Sequence, residues 1–411
     1  MKSTIQIINK RYPLYILDSE ALIFSTRAFG GMFIGGMFLS LSILCGCGQK
    51  QGERSKPSVS DVHHTASKRQ SIGNCWIYAT ASWIESLNLT ETNETHNLSE
   101  SYWTYWHWAE NLRYARDKIS TGGSWDTASQ IIEDHGWMEE GDFIPGEAEE
   151  QMSGSQLRAE RFVNEQLAPG GKLAKIRDRT KKKIMSVLDE AFGVRMNDVS
   201  GKVHKADELI VGHDQDGAKI QLTEVLSQSN SPFAWRQISY PRIYEKDDVP
   251  TEPMAQQRTA ILKRVMKAVN DRQPVIMSVE VDFNALAITP YATFDLETLK
   301  AAGHMGRQGG HLLVLEDYTV KNVPGVGDIG EGDVSAELKA AALTGDLVSI
   351  KAKNSWGTDR PERGLIDGHT SFKLGYLDGV ISWRNDEDAP SNDTDVSWRN
   401  PLSGFVLPPG Y

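Results

Sequence analysis

Apolar residues recur with helical spacing through the first two thirds of the chain. Residues three and four positions apart share one face of a helix, so such repeats predict amphipathic helices packed on a core. The clearest repeat ends at Phe192, directly before Gly193, a residue type that commonly ends helices. Predicted helices cover residues 75–87, a segment with Ser99 as its N-cap, and residues 128–133, 184–192 and 258–270.

The pattern changes near residue 274, where short runs of β-branched and other apolar residues replace the helical repeat. These runs predict strands at residues 274–281, 311–318 and 347–353, with weaker candidates at 372–374 and 380–383. Helices in the first part and strands in the second predict an α+β fold with two lobes. Residues 146–257 interrupt this plan, and we expect them to be an inserted segment.

The N-terminal region has the pattern of an export signal. Residues 28–46 are mainly apolar, follow Arg27 and end in Leu-Cys-Gly before Cys47. This end resembles the processing site of bacterial lipoproteins, which implies lipid attachment at Cys47 and anchoring to the cell-envelope membrane after export. We therefore expect a leader at 1–46, a flexible tether at 47–64 and a packed domain at 65–411. A retained transmembrane anchor and a plain secretory signal are the alternatives.

Charge and cysteine content narrow the function. The formal net charge is -11, and nucleic-acid binding needs clustered Lys and Arg, so nucleic acid is an unexpected partner. Cys45 and Cys47 lie in or beside the leader, which leaves Cys75 as the only cysteine of the predicted domain and excludes an internal disulfide there. A single free thiol is either a small buried apolar residue or a nucleophile.

Three distant residues would together supply the chemistry of acyl transfer by a thiol. Cys75 opens a predicted helix, where the helix dipole favours the thiolate form. His311 begins a predicted strand and could accept and return the thiol proton, and Asn354 could orient its ring. Trp356 could shield the bond between the two from water. This chemistry needs neither a metal nor a cofactor, and we expect none.

The motifs around these residues resemble those of one enzyme family. The sequence Gly-Asn-Cys-Trp at 73–76 and the sequence Asn-Ser-Trp-Gly at 354–357 look like the cysteine and asparagine motifs of the papain-like cysteine peptidases. The resemblance implies a helical left lobe, an antiparallel β-barrel-like right lobe and an active-site cleft between them. It also implies that Gly122 and Gly123 bind the backbone of a peptide or protein substrate. It covers residues from about 65 to 373, apart from the insertion.

One branch of the family looks nearest. The sequence Leu-Ser-Glu-Ser-Tyr at 98–102 and the sequence Gly-Gly-Ser-Trp-Asp at 122–126 are similar to bleomycin hydrolase and the bacterial aminopeptidase C group. Those enzymes are cytosolic and carry a C-terminal tail that enters the cleft and enforces removal of terminal residues. An exported lipoprotein departs from that pattern, so the resemblance does not extend to aminopeptidase activity.

The oxyanion-binding residue is the weakest part of the match. The family has a glutamine six residues before the nucleophile, and that position here is Arg69, with Gln70 one residue later. If the loop is one residue shorter, Gln70 takes the role, and this is the assignment we favour.

A cysteine peptidase is therefore the leading hypothesis for the chain's activity. A bleomycin-hydrolase-type aminopeptidase, an envelope amidase or transglutaminase-like acyl transferase, and an inactive peptidase fold that only binds are the alternatives. The sequence does not indicate an oligomeric state.

Overall fold

The computed structural model describes residues 62–332, 334–358, 360–385 and 395–411, and these form helices first and a large sheet afterwards. The helices of the first part are α1 Cys75–Thr92, α2 Glu100–Asn111, α3 Trp125–His135, α4 Glu140–Phe143, α5 Pro145–Glu150, α6 Gly154–Leu167, α7 Lys181–Phe192, α8 Met196–Val199 and α9 Leu222–Val225. Those that follow are α10 Glu252–Asn270, α11 Leu296–Ala302, α12 Ala336–Ala342 and α13 Leu374–Asp378.

Most strands lie in the second part of the chain. They are β1 Ile210–His213, β2 Lys219–Gln221, β3 Arg236–Ser239, β4 Ile276–Asp282, β5 Leu286–Ala287, β6 Thr293–Phe294, β7 Gln308–Val323, β8 Gly327–Ile329, β9 Asp346–Lys353, β10 His369–Lys373, β11 Ile381–Arg384, β12 Val396–Arg399 and β13 Leu402–Leu407.

One large sheet organises the second part. Its strand order is β3-β13-β4-β7-β9-β10-β6-β5, with β8 paired to β7. Every pair in it is antiparallel except β10 with β6. Among the described residues the order is an open path and not a closed ring. The strands β11 and β12 form a separate hairpin, and β1 and β2 form another.

Two hydrophobic cores lie on either side of the junction between helices and sheet. The first is built mainly from residues 72–235, and its largest side chains include Trp76, Trp83 and Trp103. The second is built mainly from residues 240–407 and includes Phe294 and Phe372, which stack 4.9 Å apart. The predicted α+β architecture with two lobes is therefore confirmed.

Local signals placed the helices well but missed several ends. Ser99 caps α2, and its hydroxyl accepts a hydrogen bond from the Tyr102 N–H at 3.2 Å, as its residue type predicts. Gly193 ends α7 in the left-handed region at φ 71°. Helix α10, in contrast, begins at Glu252 and not at residue 258. The apolar repeat missed its first turn because that turn is polar. The proline in this turn is compatible with the start of a helix.

The segment predicted to be an insertion contributes to both parts of the molecule. Its helices α6 and α7 add Ala159, Val163 and Val187 to the first core. Its strand β3 joins the large sheet beside β13. At the predicted tether, Val62 is already buried in the second core, and its N–H donates to the Glu316 carbonyl at 3.2 Å.

Candidate active site

Cys75 is the first residue of α1 and faces the central strand β7. Its side chain is buried, with 2% of the residue exposed, and the thiol is free. The sulfur lies 4.0 Å from the carbonyl oxygen of Gly310, the residue directly before His311. The helical part and the sheet therefore bring the candidate nucleophile and the candidate base to one place.

A chain of hydrogen bonds fixes the orientation of the His311 ring. The Nδ2 group of Asn354 donates to the Thr370 hydroxyl at 2.8 Å, which identifies Oδ1 as the acceptor end of the amide. That Oδ1 accepts the Ser355 N–H at 2.7 Å and lies 2.8 Å from Nε2 of His311. An acceptor at this distance requires the proton of the neutral ring on Nε2. The other nitrogen, Nδ1, is then the basic one.

Trp356 covers this bond, as the sequence predicts. Its ring stacks on the His311 ring with centroids 5.1 Å apart and planes 18° apart, and only 3% of the residue is exposed. A buried hydrogen bond is electrostatically stronger than one in water, so the indole helps hold the imidazole in place.

Burial keeps the thiol and the imidazole neutral in the closed site. It raises the pKa of Cys75 to about 11, although the backbone N–H groups of Leu312, Trp76 and Cys75 act in the opposite direction. It also lowers the pKa of His311 to about 4, despite the hydrogen bond to Asn354. Loss of hydration therefore opposes the thiolate form that the helix N-terminus favours.

Gln70 and Arg69 occupy different surroundings. The Gln70 side-chain oxygen accepts from the Ser355 hydroxyl, and its Nε2 donates to the Ile72 carbonyl at 2.7 Å. Gln70 therefore lies between the asparagine motif and the loop that leads to Cys75. Arg69 lines a separate surface cavity with Arg360, which together with burial lowers the pKa of the Arg69 guanidinium.

We expect Gln70→Ala to lower kcat by roughly 10²–10³-fold with little change in KM, because an oxyanion donor acts mainly in the transition state. Purified single variants assayed on one peptide substrate would measure this. Arg69→Ala is the matched control and should change kcat by less than about threefold, since this half-buried side chain lines a separate cavity. The opposite ranking would assign the role to Arg69.

The glycine pair lies on the helical side of the cleft. Gly123 lines a cavity that also contains His311, and an added Cβ at Gly123 would lie 2.5 Å from the Trp76 ring. The Trp76 Nε1–H donates to the Thr121 carbonyl at 2.9 Å and holds that ring under the pair. Gly122 contacts the ring of His107 through its backbone. Both glycines therefore leave backbone groups close to the wall of the cleft.

A buried charge cluster that the sequence gave no reason to expect supports the Gln70 segment. Lys68 Nζ lies 3.2 Å from Glu85, 2.8 Å from Glu100 and 3.5 Å from Glu140. Burial opposes the charge on Lys68, but the three carboxylates outweigh it and raise the pKa of the amine. Burial raises the pKa of Glu140 to about 7, although Lys68 acts to lower it.

The raised pKa of Glu140 predicts a stability that falls as pH rises. A carboxyl with a native pKa of about 7 stabilises the fold fully below its unfolded value of about 4.5, and this contribution is lost as pH rises through 7. In the wild type the free energy of unfolding should fall by on the order of 1–3 kcal/mol between about pH 5 and pH 8, and Glu140→Gln should remove this decrease. Urea unfolding of the full chain at both pH values measures it. Exposed Glu133→Gln is the control, and equal pH slopes in both variants would contradict the assignment.

Other contacts at the site join residues that are far apart in sequence. Thr370 anchors Asn354, and Ser355 anchors Gln70. Asn74, directly before the nucleophile, donates to Thr104 and to Gln156, each at 2.9 Å. Neither Thr370 nor Gln156 belongs to a recognisable motif, so no sequence signal could have found them.

The predicted lipid attachment at Cys47, the predicted leader and most of the predicted tether lie outside the described residues. Within the described ranges, no helix combines the length and apolarity needed to cross a membrane. The same residues contain no group of three or more His, Cys, Asp or Glu side chains arranged to hold a metal ion.

Comparison with known proteins gives distant structural similarity. No family model and no curated protein matches the chain. Among solved structures, xylellain, a cysteine protease from Xylella fastidiosa, shares 12% identity with a TM-score of 0.39, covering 85% of this chain and 86% of that one. A cysteine protease from Carica candamarcensis shares 15% identity with a TM-score of 0.25, over 84% and 93% of the two chains. At these scores the function has to be argued from the residues of the site.

Proposed function

We propose that the protein is a papain-like cysteine peptidase that hydrolyses peptide bonds through a thioester on Cys75. The observation that carries this proposal is the bond between His311 Nε2 and Asn354 Oδ1, 2.8 Å long and oriented by Thr370. It leaves Nδ1 as the basic nitrogen of a buried imidazole, and the carbonyl oxygen of the preceding residue, Gly310, lies 4.0 Å from the only thiol among the described residues. Three residues from separate parts of the chain thus supply the groups needed for acyl transfer to a thiol.

The proposed reaction moves one proton back and forth. His311 Nδ1 accepts the Cys75 thiol proton as sulfur attacks the substrate carbonyl carbon, and the resulting oxyanion is bound by the Cys75 N–H and Gln70. The imidazolium then gives its proton to the amine as the carbon–nitrogen bond breaks. Water attacks the thioester, His311 takes its proton, and the thiol is restored as the acid product leaves. Asn354 keeps the ring in the same orientation throughout.

The neutral resting pair fits this sequence of steps. A thiol with a pKa of about 11 and an imidazole with a pKa of about 4 form an ion pair only at a cost in free energy. When a substrate is bound, its carbonyl carbon lies next to the sulfur. The sulfur can then form a bond to that carbon as it loses its proton, so no free thiolate has to accumulate. Proton transfer and attack are therefore expected to occur together.

The aminopeptidase alternative and an internal cleavage mode differ in what the C-terminal segment does. In the enzymes this chain resembles, the C-terminal tail enters the cleft. Here the residues Leu402–Leu407 form β13 inside the sheet, and Tyr411 packs against α10, with Lys267 Nζ 4.5 Å from its ring centroid. We propose an exported enzyme, anchored by lipid at Cys47, that acts on peptides or proteins in the cell envelope.

A peptide-library digest followed by mass spectrometry tests the proposal. The expected products are fragments cut inside the peptides, and their formation should stop after treatment with a thiol-alkylating epoxide. Loss of single N-terminal residues would favour the aminopeptidase instead. Products that form equally fast after complete alkylation of Cys75 would contradict a cysteine peptidase.

A further inference from the structure

A cavity of about 350 Å³ opens directly beside the candidate active site. His311 and Gly123 line it together with three charged residues, Arg242, Glu280 and Arg399, and Glu280 on β4 pairs with Gly310 on β7. The inference drawn from this cavity rests on the proposed peptidase function and concerns which substrate side chain it accepts.

The charged groups that line the cavity do not balance. Two guanidinium groups share one carboxylate: Arg242 Nη1 lies 3.3 Å from Glu280 Oε1, and Arg399 Nε lies 2.6 Å from Glu280 Oε2. Arginine stays charged under all ordinary conditions. The remaining lining residues carry no formal charge when His311 is neutral. The cavity therefore has a net charge of about +1, close to bound substrate.

Four of the five N–H groups of Arg242 are engaged within the protein. Its Nε donates to the Leu402 carbonyl at 3.1 Å, and its Nη2 donates to the Pro401 carbonyl at 3.0 Å and the Ser403 hydroxyl at 2.5 Å. Together with the contact to Glu280, these bonds make Arg242 a structural support for the turn before β13 and its first residues.

Arg399 differs because only its Nε is engaged. Its Nη1 and Nη2 groups have no hydrogen-bond partner among the described residues, although the side chain is only 14% exposed. The guanidinium carbon lies 5.0 Å from the centroid of the Trp383 ring, which fixes the plane of the group. A half-buried guanidinium with unused donors favours a carboxylate, which can accept two parallel hydrogen bonds.

A basic side chain would meet the opposite situation. Each oxygen of Glu280 already accepts a hydrogen bond from an arginine, and these two guanidinium groups more than neutralise its charge, so Glu280 is a weak partner for a lysine or arginine of the substrate. The excess positive charge would also repel it.

We propose that this cavity selects an acidic side chain, carried by the substrate residue immediately before the one whose carbonyl carbon is attacked. Arg399 binds its carboxylate through Nη1 and Nη2. Gly123 lies between the cavity and Trp76 beside the nucleophile, so a substrate backbone held there directs that side chain toward Arg399. Arg399 is thus a specificity-determining residue, and Glu280 and Trp383 position it.

Peptides that differ only at this residue, as Glu, Gln or Lys, test the proposal. We expect kcat/KM for the Glu peptide to exceed that for Gln by about tenfold, the size typical of one partly exposed charge-assisted hydrogen bond, and to exceed that for Lys by more. In Arg399→Gln the preference for Glu over Gln should fall to less than about twofold, while Arg399→Lys should keep part of it because the charge remains. Equal rates for Glu and Gln in the wild type, or an unchanged ratio in Arg399→Gln, would overturn the proposal.

A matched control removes the same charge from the other face of the hairpin. Lys246 Nζ lies 5.0 Å from the ring centroid of Trp398, which neighbours Arg399 in β12 and points to the opposite side. Lys246→Gln should leave the preference for Glu unchanged, and its loss there would show a general charge effect in place of a site.

A binding measurement tests the acidic subsite independently of the proposed hydrolysis. Calorimetry with Cys75→Ala should give a Kd about tenfold lower for the Glu peptide than for the Gln peptide, and Arg399→Gln in the same background should abolish the difference. Selective binding without any hydrolysis by the wild type would overturn the peptidase function but support the acidic subsite. Hydrolysis with no selectivity in either assay would support the peptidase function and overturn the acidic subsite.

Discussion

Replacing Cys75 with alanine is expected to lower kcat/KM for peptide substrates by roughly 10⁴-fold or more, as removal of a catalytic nucleophile does in other peptidases. The described part of the chain contains no second cysteine that could substitute for it. The fold should remain intact, because alanine is well tolerated in the first turn of a helix and leaves only a small cavity. Steady-state kinetics together with the melting temperature would measure both effects.

The matched control lies in the same helix. Ser82→Ala removes one polar atom from a half-buried position two turns further along α1 and should leave kcat/KM within about twofold of the wild type. Residual turnover of Cys75→Ala within about tenfold of the wild type, only about 1.4 kcal/mol of barrier, would exclude Cys75 as the nucleophile.

Replacing His311 with alanine should be the next most damaging change, with a loss of roughly 10³–10⁴-fold in kcat/KM. Without the imidazole, the thiol keeps its raised pKa and has no proton acceptor. Asn354→Ala should cost less, because Asn354 orients the ring and exchanges no proton. The rate of Cys75 alkylation at neutral pH measures the same requirement without a substrate, and an unchanged rate in His311→Ala would mean that another base activates the thiol.

The pH dependence follows from the buried imidazole. Burial lowers the His311 pKa to about 4, so the ring remains an unprotonated base at pH values where an exposed histidine is charged. The value of kcat/KM should therefore fall only as the pH drops well below about 6.5, the ordinary pKa of histidine. An acidic limb centred at or above that value would mean that His311 is hydrated in the working enzyme.

The parts of the site that sequence could predict are those written in contiguous motifs. The residues around Cys75 and Asn354 lie in short segments whose local structure, a helix start and a strand end, follows from their own residue types. His311 could be found because it begins an apolar strand after two glycines. In the structure Asn354 and Trp356 contact the His311 ring, and the Cys75 sulfur lies 4.0 Å from the carbonyl oxygen of Gly310.

The rest of the site depends on long-range contacts. Glu280 binds Arg242 and Arg399, which are separated from it by loops and by other strands, and no local pattern links them. The Lys68 cluster joins four segments in the same way. The pKa of Cys75 is a related case, because a sequence shows the helix start but not how deeply the thiol is buried.

Quantitative labelling of Cys75 with a thiol-alkylating epoxide tests the central claim most directly. Peptide mapping by mass spectrometry gives the fraction of Cys75 modified, and a peptide assay on the same samples gives the remaining activity. We predict one label on Cys75 per chain and activity that falls linearly to zero as that fraction reaches one. Activity that persists when Cys75 is fully modified would contradict the assignment of this thiol as the nucleophile.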